Sequence, residues 1–221
     1  MAWKTYDLTL NITNQLVGSV PKNPDVVRSW LESRKASEPA LARMQQASAP
    51  VATLDEIEAD VLATITPEEE RSWTGFQSDD KGLFIRADNV KAHLKDCANV
   101  LRKTLEREPY KLTAPRSKLA DRVYPLPERI HLLRDSANIT APDGDWERPI
   151  HVMTALGPRD ALKRSDYVDT PTLKVELRVL ADGVITQPVL EEILDYGSIH
   201  GIGGERGMGY GRYTWTLEER D

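Results

Sequence analysis

The sequence predicts an α+β fold in which helices cover one face of an antiparallel sheet, in the split βαβ family of arrangements. Strand-like segments, in which apolar and polar residues alternate, lie near both ends of the chain. Helix-like segments, with apolar residues three and four positions apart, follow them. A helix-rich and proline-rich middle separates the two ends. Runs of strands and helices in this order are typical of α+β proteins.

The N-terminal part is predicted to begin with a strand and continue with helices. TYDLTLNI, residues 5–12, alternates apolar and polar positions as a half-buried strand does. After a segment interrupted by glycine and prolines, Asp25–Arg34 predicts a helix with an acidic residue near its start. Residues 36–52 are rich in Ala, Ser, Gln and Pro and are predicted to form a connector. The next helix begins at Thr53, which forms a capping box with Glu56.

A strand and an amphipathic helix are predicted next. Leu83–Ile85 form the short strand, and Asp88 is placed to cap the helix. The apolar face of this helix is marked by residues three and four apart: Val90, Leu94, Cys97, Ala98 and Leu101. The opposite face carries basic residues: Lys91, Lys95, Arg102 and Lys103. Prolines between residues 109 and 150 then separate short strand-like pieces such as RVYPL and RIHLLRD.

The C-terminal part contains the clearest strand of the sequence. PTLKVELRVLADG, residues 171–183, places Leu173, Val175, Leu177 and Val179 on one face and polar residues on the other. ITQPVLEEILDYG, residues 185–197, predicts a helix, and RYTWTLEE, residues 212–219, predicts a closing strand. The two ends of the chain therefore contribute strands and helices of one α+β sheet.

Composition excludes several classes of protein. The 221 residues suffice for the core of one domain, and they include 40% hydrophobic and 29% charged residues. No run of about 18 apolar residues predicts a membrane span, and the N-terminus has no signal-peptide pattern, so we expect a cytoplasmic protein. The single cysteine, Cys97, excludes an internal disulfide, and four scattered histidines predict no zinc site. We expect neither a metal nor a cofactor.

The net charge of −6 conceals an uneven distribution. Residues 51–80 hold nine acidic residues and one base, Arg71, which leaves the rest of the protein with a net charge of +2. Residues 81–134 carry thirteen bases and six acids, and this segment is a candidate electropositive surface. Nucleic acid therefore remains a candidate partner, bound along a confined strip, although both segments could also be solvated faces.

Seven of the thirteen glycines lie in GSIHGIGGERGMGYG, residues 197–211. Glycines permit positive φ and close approach of the backbone, either to phosphates or to another part of the chain. Arg206 and Arg212 would add donors for phosphate oxygens. A glycine-rich hairpin packed under a sheet is the alternative. Because the glycines follow a helix and precede a strand, the order is opposite to that of nucleotide-binding glycine loops.

The chain resembles the RAMP superfamily, the repeat-associated proteins of CRISPR effector complexes. From Thr172 to Trp215 it has a strand, a helix, GIGGERGMGYGRY and a closing strand, like the C-terminal half of that family. LTLNITNQLVGS at residues 8–19 resembles the family's first strand and following loop. GLFIRADNVKAHLKDC at residues 82–97 is similar to the strand and helix that follow the first insertion in the backbone subunits.

The resemblance implies a ferredoxin-like, RRM-related fold and a role in antiviral defence. Residues 1–221 would form one RAMP-like domain with a helical, proline-rich insertion, the inserted segments lying at about 36–80 and 109–165. RNA, most specifically guide RNA, would be one partner, and other subunits or copies of the chain would be the others, with no membrane involved. The RNA-binding residues carried over are Gly203, Gly204, Arg206, Gly207, Gly209 and Gly211, together with Arg212 and with Arg86, Lys91 and Lys95 as additions.

Three functions stay open at this stage. A non-catalytic RNA-binding subunit of a CRISPR-like ribonucleoprotein is the leading hypothesis. A metal-independent endoribonuclease of the same superfamily is the second, with His200 and Asp25 as candidate catalytic residues, although Asp25 also suits a helix cap. A phage structural or assembly protein with the same fold is the third. TALGPRDALKR, residues 154–164, is either an RNA-contacting loop or thumb, or a surface connector.

Overall fold

The computed structural model describes residues 2–22, 73–154 and 157–220. The helices predicted at Asp25–Arg34 and from Thr53 lie outside the described residues, as do the connector and most of the acidic segment. Candidate residue Asp25 lies outside them too.

Fourteen strands and four helices occupy the described residues. The strands are β1 (Trp3–Ile12), β2 (Gln15–Val17), β3 (Val20–Pro21), β4 (Trp73–Gly75), β5 (Gln77–Asp79), β6 (Gly82–Arg86), β7 (Val123–Leu126), β8 (Arg129–His131), β9 (Leu133–Arg134), β10 (Ala137–Asn138), β11 (Gly144–Thr154), β12 (Gly157–Asp169), β13 (Thr172–Leu180) and β14 (Tyr213–Arg220). The helices are α1 (Ala87–Val100), α2 (Arg102–Leu105), α3 (Pro115–Arg122) and α4 (Gln187–His200).

The central sheet has a ferredoxin-like topology. Four of its six strands lie in the order β7-β13-β1-β14, and the short strands β9 and β10 extend the sheet from the first residue of β13; every neighbouring pair is antiparallel. Along the chain, β1 is followed by α1 and β7, with strands β2 to β6 of the other sheets in between, and β13 is followed by α4 and β14. This is the β-α-β-β-α-β order of the split βαβ arrangement. The predicted α+β class and its antiparallel sheet are therefore confirmed.

The core lies between this sheet and the two long helices. Alternate residues of β1 and β13 are buried, from Tyr6 to Ile12 and from Leu173 to Val179, as the period-two pattern predicts. The apolar face predicted for α1 is confirmed, with Val90, Leu94, Cys97 and Ala98 fully buried. Burying each large aliphatic side chain contributes about 1.5–3 kcal/mol. The opposite face of the sheet is left polar.

Two local predictions differ from the structure. Asp88 does not cap α1, because the helix begins one residue earlier at Ala87 and places Asp88 in its first turn. There the carboxylate still interacts favourably with the helix dipole. Helix α3 is not predicted from the sequence, because only Pro115 and Leu119 of its eight residues are buried, too few to show a helical period.

The central region between β10 and β13 forms a long hairpin. Strands β11 and β12 pair antiparallel over their whole length, from Gly144 opposite Tyr167 to Thr154 opposite Gly157. At its base, β12 also pairs with β2 and, in parallel, with β4, which gives a second sheet. Of the segment TALGPRDALKR, Thr154 ends β11 and residues 157–164 lie on β12, so its described residues belong to this hairpin. Among the described helices, none has the length and apolarity to cross a membrane.

Candidate functional site

The glycine-rich segment connects α4 to β14 and packs against the turn between β1 and β2. The N–H group of Gly204 donates to the carbonyl oxygen of Val17 at 2.8 Å, and that of Gly211 donates to Gln15 at 2.9 Å. Asn14 Nδ2 donates to the carbonyl oxygen of Gly209 at 2.8 Å. Three hydrogen bonds therefore fix the segment on the first strands of the fold.

Close packing explains several of its glycines. Gly211 has a φ of +71°, and a Cβ atom there would lie 1.8 Å from the carbonyl oxygen of Ile202. A Cβ atom on Gly201 would lie 2.3 Å from the carbonyl oxygen of Tyr210. Gly203 and Gly204 also come close to residues 16–18. These four glycines serve the close approach of the segment to neighbouring backbone and side chains, as the packing alternative predicts.

The part of the segment from Glu205 to Gly209 is different, and we refer to it as the 205–209 turn. It contains a 3-10 turn, Arg206–Met208, between residues in the left-handed region at Glu205 (φ 55°) and Gly209 (φ 85°). A Cβ atom on Gly207 would meet nothing within 4 Å. Within the described residues, the N–H groups of Arg206 and Gly207 donate to no acceptor. Left-handed and right-handed residues in succession form the concave N–H arrangement that binds anions.

Two arginines lie at this turn. The Arg206 guanidinium is one-third exposed and donates from Nη1 to His200 Nε2 at 3.2 Å, while Nη2 lies 3.6 Å from Asp96 Oδ2. Arg212 is exposed, and its guanidinium lies beside Gly209, 3.4 Å from where a Cβ would stand. Arg206 therefore belongs to the turn itself, and the Arg212 guanidinium lies beside its last residue, Gly209.

His200 is held as a partner of Arg206. Because a guanidinium only donates, Nε2 of His200 is the acceptor and the ring is neutral. Burial, together with the charge of Arg206, lowers the pKa of His200. Its ring stacks on Tyr196, with centroids 5.5 Å apart. A base needs a free lone pair, so this contact favours a positioning role for His200 over catalysis.

A second histidine lies buried behind the first. His93 is 3% exposed, and its Nε2 is 2.9 Å from the Tyr213 hydroxyl. Burial, reinforced by the charge of Arg206, lowers the pKa of His93 to about 3. The ring therefore stays neutral over the physiological pH range and links α1 to β14.

We expect His93→Gln to flatten the dependence of stability on pH. Below pH 6.5 the unfolded chain binds a proton that native His93 rejects, so the native state loses stability as the pH falls towards 3. For one such histidine, each pH unit below 6.5 lowers the free energy of unfolding by about 1.4 kcal/mol. The free energy of unfolding can be measured with urea at pH 7.5, 6.5, 5.5 and 4.5. Between pH 6.5 and 4.5 it should decrease by about 2–3 kcal/mol more in the wild type than in His93→Gln. Identical profiles for both proteins would contradict this role.

The β11–β12 hairpin braces the 205–209 turn. The buried carboxylate of Glu205 accepts hydrogen bonds from Arg148 of β11 and Lys163 of β12. The Trp146 ring stacks on Tyr210, with centroids 6.0 Å apart and planes 23° apart. The turn is therefore held from one side by the hairpin and from the other by the β1–β2 turn.

Two further cations lie near the base of the hairpin, each with a partner. Arg164 lies over the Trp73 ring at 3.7 Å and pairs with Asp145 at 2.6 Å. Lys22 lies over the same ring at 4.2 Å and pairs with the buried Asp166 at 2.9 Å. These contacts tie the hairpin to β4.

The other predicted basic residues lie along α1. Arg86, at its N-terminal end, is buried and pairs with Glu128 at 2.5 Å. Lys91 Nζ lies 4.1 Å from the centre of the Tyr124 ring, and burial together with the charge of Lys95 lowers its pKa to about 8. Asp96 of the same helix contacts Arg206. Ten helical residues, about 15 Å, separate Arg86 from that position, so the structure does not bring Arg86 to the turn.

His131 also has a partner that sequence spacing does not reveal. Its Nε2 lies 2.9 Å from Asp79 Oδ1, and Arg129 donates to the same carboxylate at 3.1 Å. Burial alone would raise the pKa of Asp79, but the hydrogen bonds from His131 and Arg129 outweigh it and lower the pKa to about 2. The cluster joins β5 to β8.

The middle of the polar face of the central sheet carries no aromatic side chain on β1 or β13. Between residues 5 and 11, β1 presents Thr, Asp, Thr and Asn there, opposite Lys174, Glu176 and Arg178 of β13. Arg220 bridges Asp7 and Glu176 across this face. RRM domains bind RNA by stacking bases on aromatic side chains of their central strands. In this chain the exposed Trp3, at the start of β1, packs edge-on against Tyr124, and the rest of that face of β1 is polar.

Comparisons with known proteins identify structural likeness only. No protein-family model and no curated protein matches the sequence. The chain is similar to part of the Type III-B Cmr-beta complex bound to cognate target RNA, with 10% identity and a TM-score of 0.38 over 99% of this chain. It spans 59% of the length of that chain. A chain of a Type IV-B CRISPR complex is similar at 12% identity and a TM-score of 0.42, over 96% of this chain and 90% of the other.

Proposed function

We propose that this chain is a non-catalytic RNA-binding subunit of a CRISPR-like ribonucleoprotein complex. It holds the sugar-phosphate backbone of the RNA, guide RNA in a CRISPR effector, at the 205–209 turn. The observation that carries the proposal is the pair of N–H groups of Arg206 and Gly207, which have no acceptor among the described residues, on a turn that carries Arg206 and has the Arg212 guanidinium beside Gly209. N–H groups and guanidiniums are the donors that phosphate oxygens accept most strongly.

Rigidity supports the same function. The turn is fixed before any ligand arrives, through Glu205 on the hairpin and Gly209 on Asn14. A preformed site loses little conformational entropy on binding, so more of the interaction energy appears as affinity. Gly207 adds no side chain to the surface and lets a phosphate approach the backbone.

The surface charges support a confined site. On the polar sheet face the two arginines, Arg178 and Arg220, pair with Glu176 and Asp7, which neutralises much of that surface. The chain as a whole is acidic. Binding through one cationic turn, with few phosphates contacted per subunit, fits this distribution better than binding over a broad basic face.

Filter binding with a labelled single-stranded RNA tests the proposal. We expect retention at low salt that weakens as salt rises, with log K falling by about 0.7 per decade of salt concentration for each phosphate contacted. Absence of retention at low salt would overturn the proposal and leave the structural or assembly function.

Incubating the same labelled RNA with the protein separates binding from cleavage. We expect intact RNA both with the wild type and with His200→Ala, since His200 Nε2 is already an acceptor for Arg206. Cleavage by the wild type that disappears in His200→Ala would instead establish the endoribonuclease alternative.

A further inference from the structure

Strand β14 forms one edge of the central sheet. It pairs with β1 over eight residues without a bulge, from Tyr213 opposite Ile12 to Arg220 opposite Thr5. On the side of β14 away from β1, no strand of the described residues pairs with it. An open edge of this kind can bind a further strand through backbone hydrogen bonds.

The contacts of Arg212 show which backbone groups of β14 face the open edge. The carbonyl oxygen of Arg212 accepts from the N–H group of Thr13 at 2.8 Å, and the N–H group of Arg212 donates to Asn14 Oδ1 at 3.2 Å. Both groups therefore point towards β1 and the turn after it. Because the direction of these groups alternates along an antiparallel strand, the outward-facing ones belong to odd-numbered residues. These residues are Tyr213, Trp215, Leu217 and Glu219.

The first five residues of β14 are well suited to pairing with another strand. Residues 213–217, YTWTL, include no charged residue, no proline and no glycine, and four of the five are aromatic or β-branched. The charged residues that commonly protect an edge strand are confined to Glu218–Arg220. The open edge is therefore unprotected over residues 213–217.

We propose that a second copy of this chain pairs with β14, antiparallel and about a two-fold axis at Trp215, so that the two central sheets become one. The inference goes beyond the proposed function and does not depend on RNA binding. In this register Trp215 faces Trp215 of the second copy, and Tyr213 faces Leu217. All of these residues have outward-facing backbone groups, so the two strands exchange hydrogen bonds. Aromatic pairs across strands add to the stability of such a sheet.

The side chains on the polar face of the sheet select this register. Arg212 and Glu218 are exposed and lie equally far from residue 215, so each faces the other in the second copy, twice per dimer. Thr214 and Thr216 face each other in the same way. Opposite charges and threonine pairs are favourable across antiparallel strands. A register shifted by two residues would instead place Arg212 opposite Arg220, and facing like charges are destabilising.

Sedimentation velocity of the protein without RNA tests the dimer. Pairing of two short edges buries less surface than a standard protein interface, so we expect a dissociation constant of about 1–100 μM. RNA is left out because Arg212 also lies beside the 205–209 turn. A wild-type protein that stays monomeric at about 500 μM would overturn the dimer, whether or not the protein binds RNA.

Charge reversal tests the register. Glu218→Arg and Arg212→Glu should each raise the dissociation constant at least about tenfold, because each creates two pairs of facing like charges. The double variant Arg212→Glu/Glu218→Arg exchanges the two charges and should restore the wild-type value to within about threefold. Asp121→Arg makes the same change in charge as Glu218→Arg at an exposed position of α3, which contacts β7 at the other edge of the sheet, and should not alter dimerisation. A dimer that neither Glu218→Arg nor Arg212→Glu weakens uses another surface and would overturn the proposal.

Discussion

Gly211→Ala is expected to destabilise the protein by about 3–5 kcal/mol, more than any other single methyl addition in the glycine-rich segment. The new Cβ would stand 1.8 Å from the carbonyl oxygen of Ile202, which is backbone and cannot swing aside. The residue would also adopt a φ of +71°, which costs a non-glycine residue about 1–2 kcal/mol. Relieving the clash would break the hydrogen bonds of Gly211 with Gln15 and Ile202.

Gly207→Ala is the matched control for this substitution. It adds the same methyl group to the same segment, at a position where nothing lies within 4 Å of the new Cβ. We expect a change in the free energy of unfolding within about 0.5 kcal/mol. Urea unfolding of both variants checks the pair. Equal stabilities would contradict the assignment of Gly211 to packing and of Gly207 to the exposed turn.

The sequence is sufficient to predict the central fold because local patterns determine it. Alternation in β1 and β13 and the three-and-four spacing in α1 each identify a buried face without knowledge of the partner. The hairpin β11–β12 is harder to recognise. Pro149 interrupts its first strand, and the hairpin has no continuous alternation of apolar and polar residues.

The site is only partly predictable, because its contacts join distant parts of the chain. Glycine density identifies the segment and its arginines, but it does not separate packing glycines from the exposed Gly207. Nothing in the sequence links Glu205 to Arg148, 57 residues away, or Trp146 to Tyr210. The sequence places Lys91 on the basic face of α1. In the structure the Lys91 side chain lies over the Tyr124 ring, because long basic side chains pack their apolar stems on neighbouring rings.

Removal of the two arginines at the turn should have the largest effect on RNA binding. Arg206→Gln/Arg212→Gln eliminates one charge on the 205–209 turn and one beside its last residue, Gly209. A charge-assisted hydrogen bond contributes about 1.5–3 kcal/mol, so we expect the loss of two to lower the affinity for single-stranded RNA by at least roughly 100-fold at low salt. Arg206 contacts Asp96 from a one-third exposed position, so the decrease in stability should stay small.

Arg178→Gln/Arg220→Gln is the control with the same change in net charge. Both of its arginines lie on the polar face of the central sheet, paired with Glu176 and Asp7. If RNA lies at the turn, neutralising these two residues leaves the phosphate contacts intact. If RNA lies on the sheet, as in RRM domains, Arg178→Gln/Arg220→Gln should lower the affinity for RNA and Arg206→Gln/Arg212→Gln should leave it unchanged.

The salt dependence of RNA affinity in these two double variants tests the central claim most directly. The slope of log K against log salt should become shallower by about 1.4 in Arg206→Gln/Arg212→Gln, which is about 0.7 for each phosphate that the variant no longer neutralises. In Arg178→Gln/Arg220→Gln the slope should stay at the wild-type value. A wild-type slope in the turn variant, with the shallower slope in the sheet variant, would contradict an RNA site at the 205–209 turn.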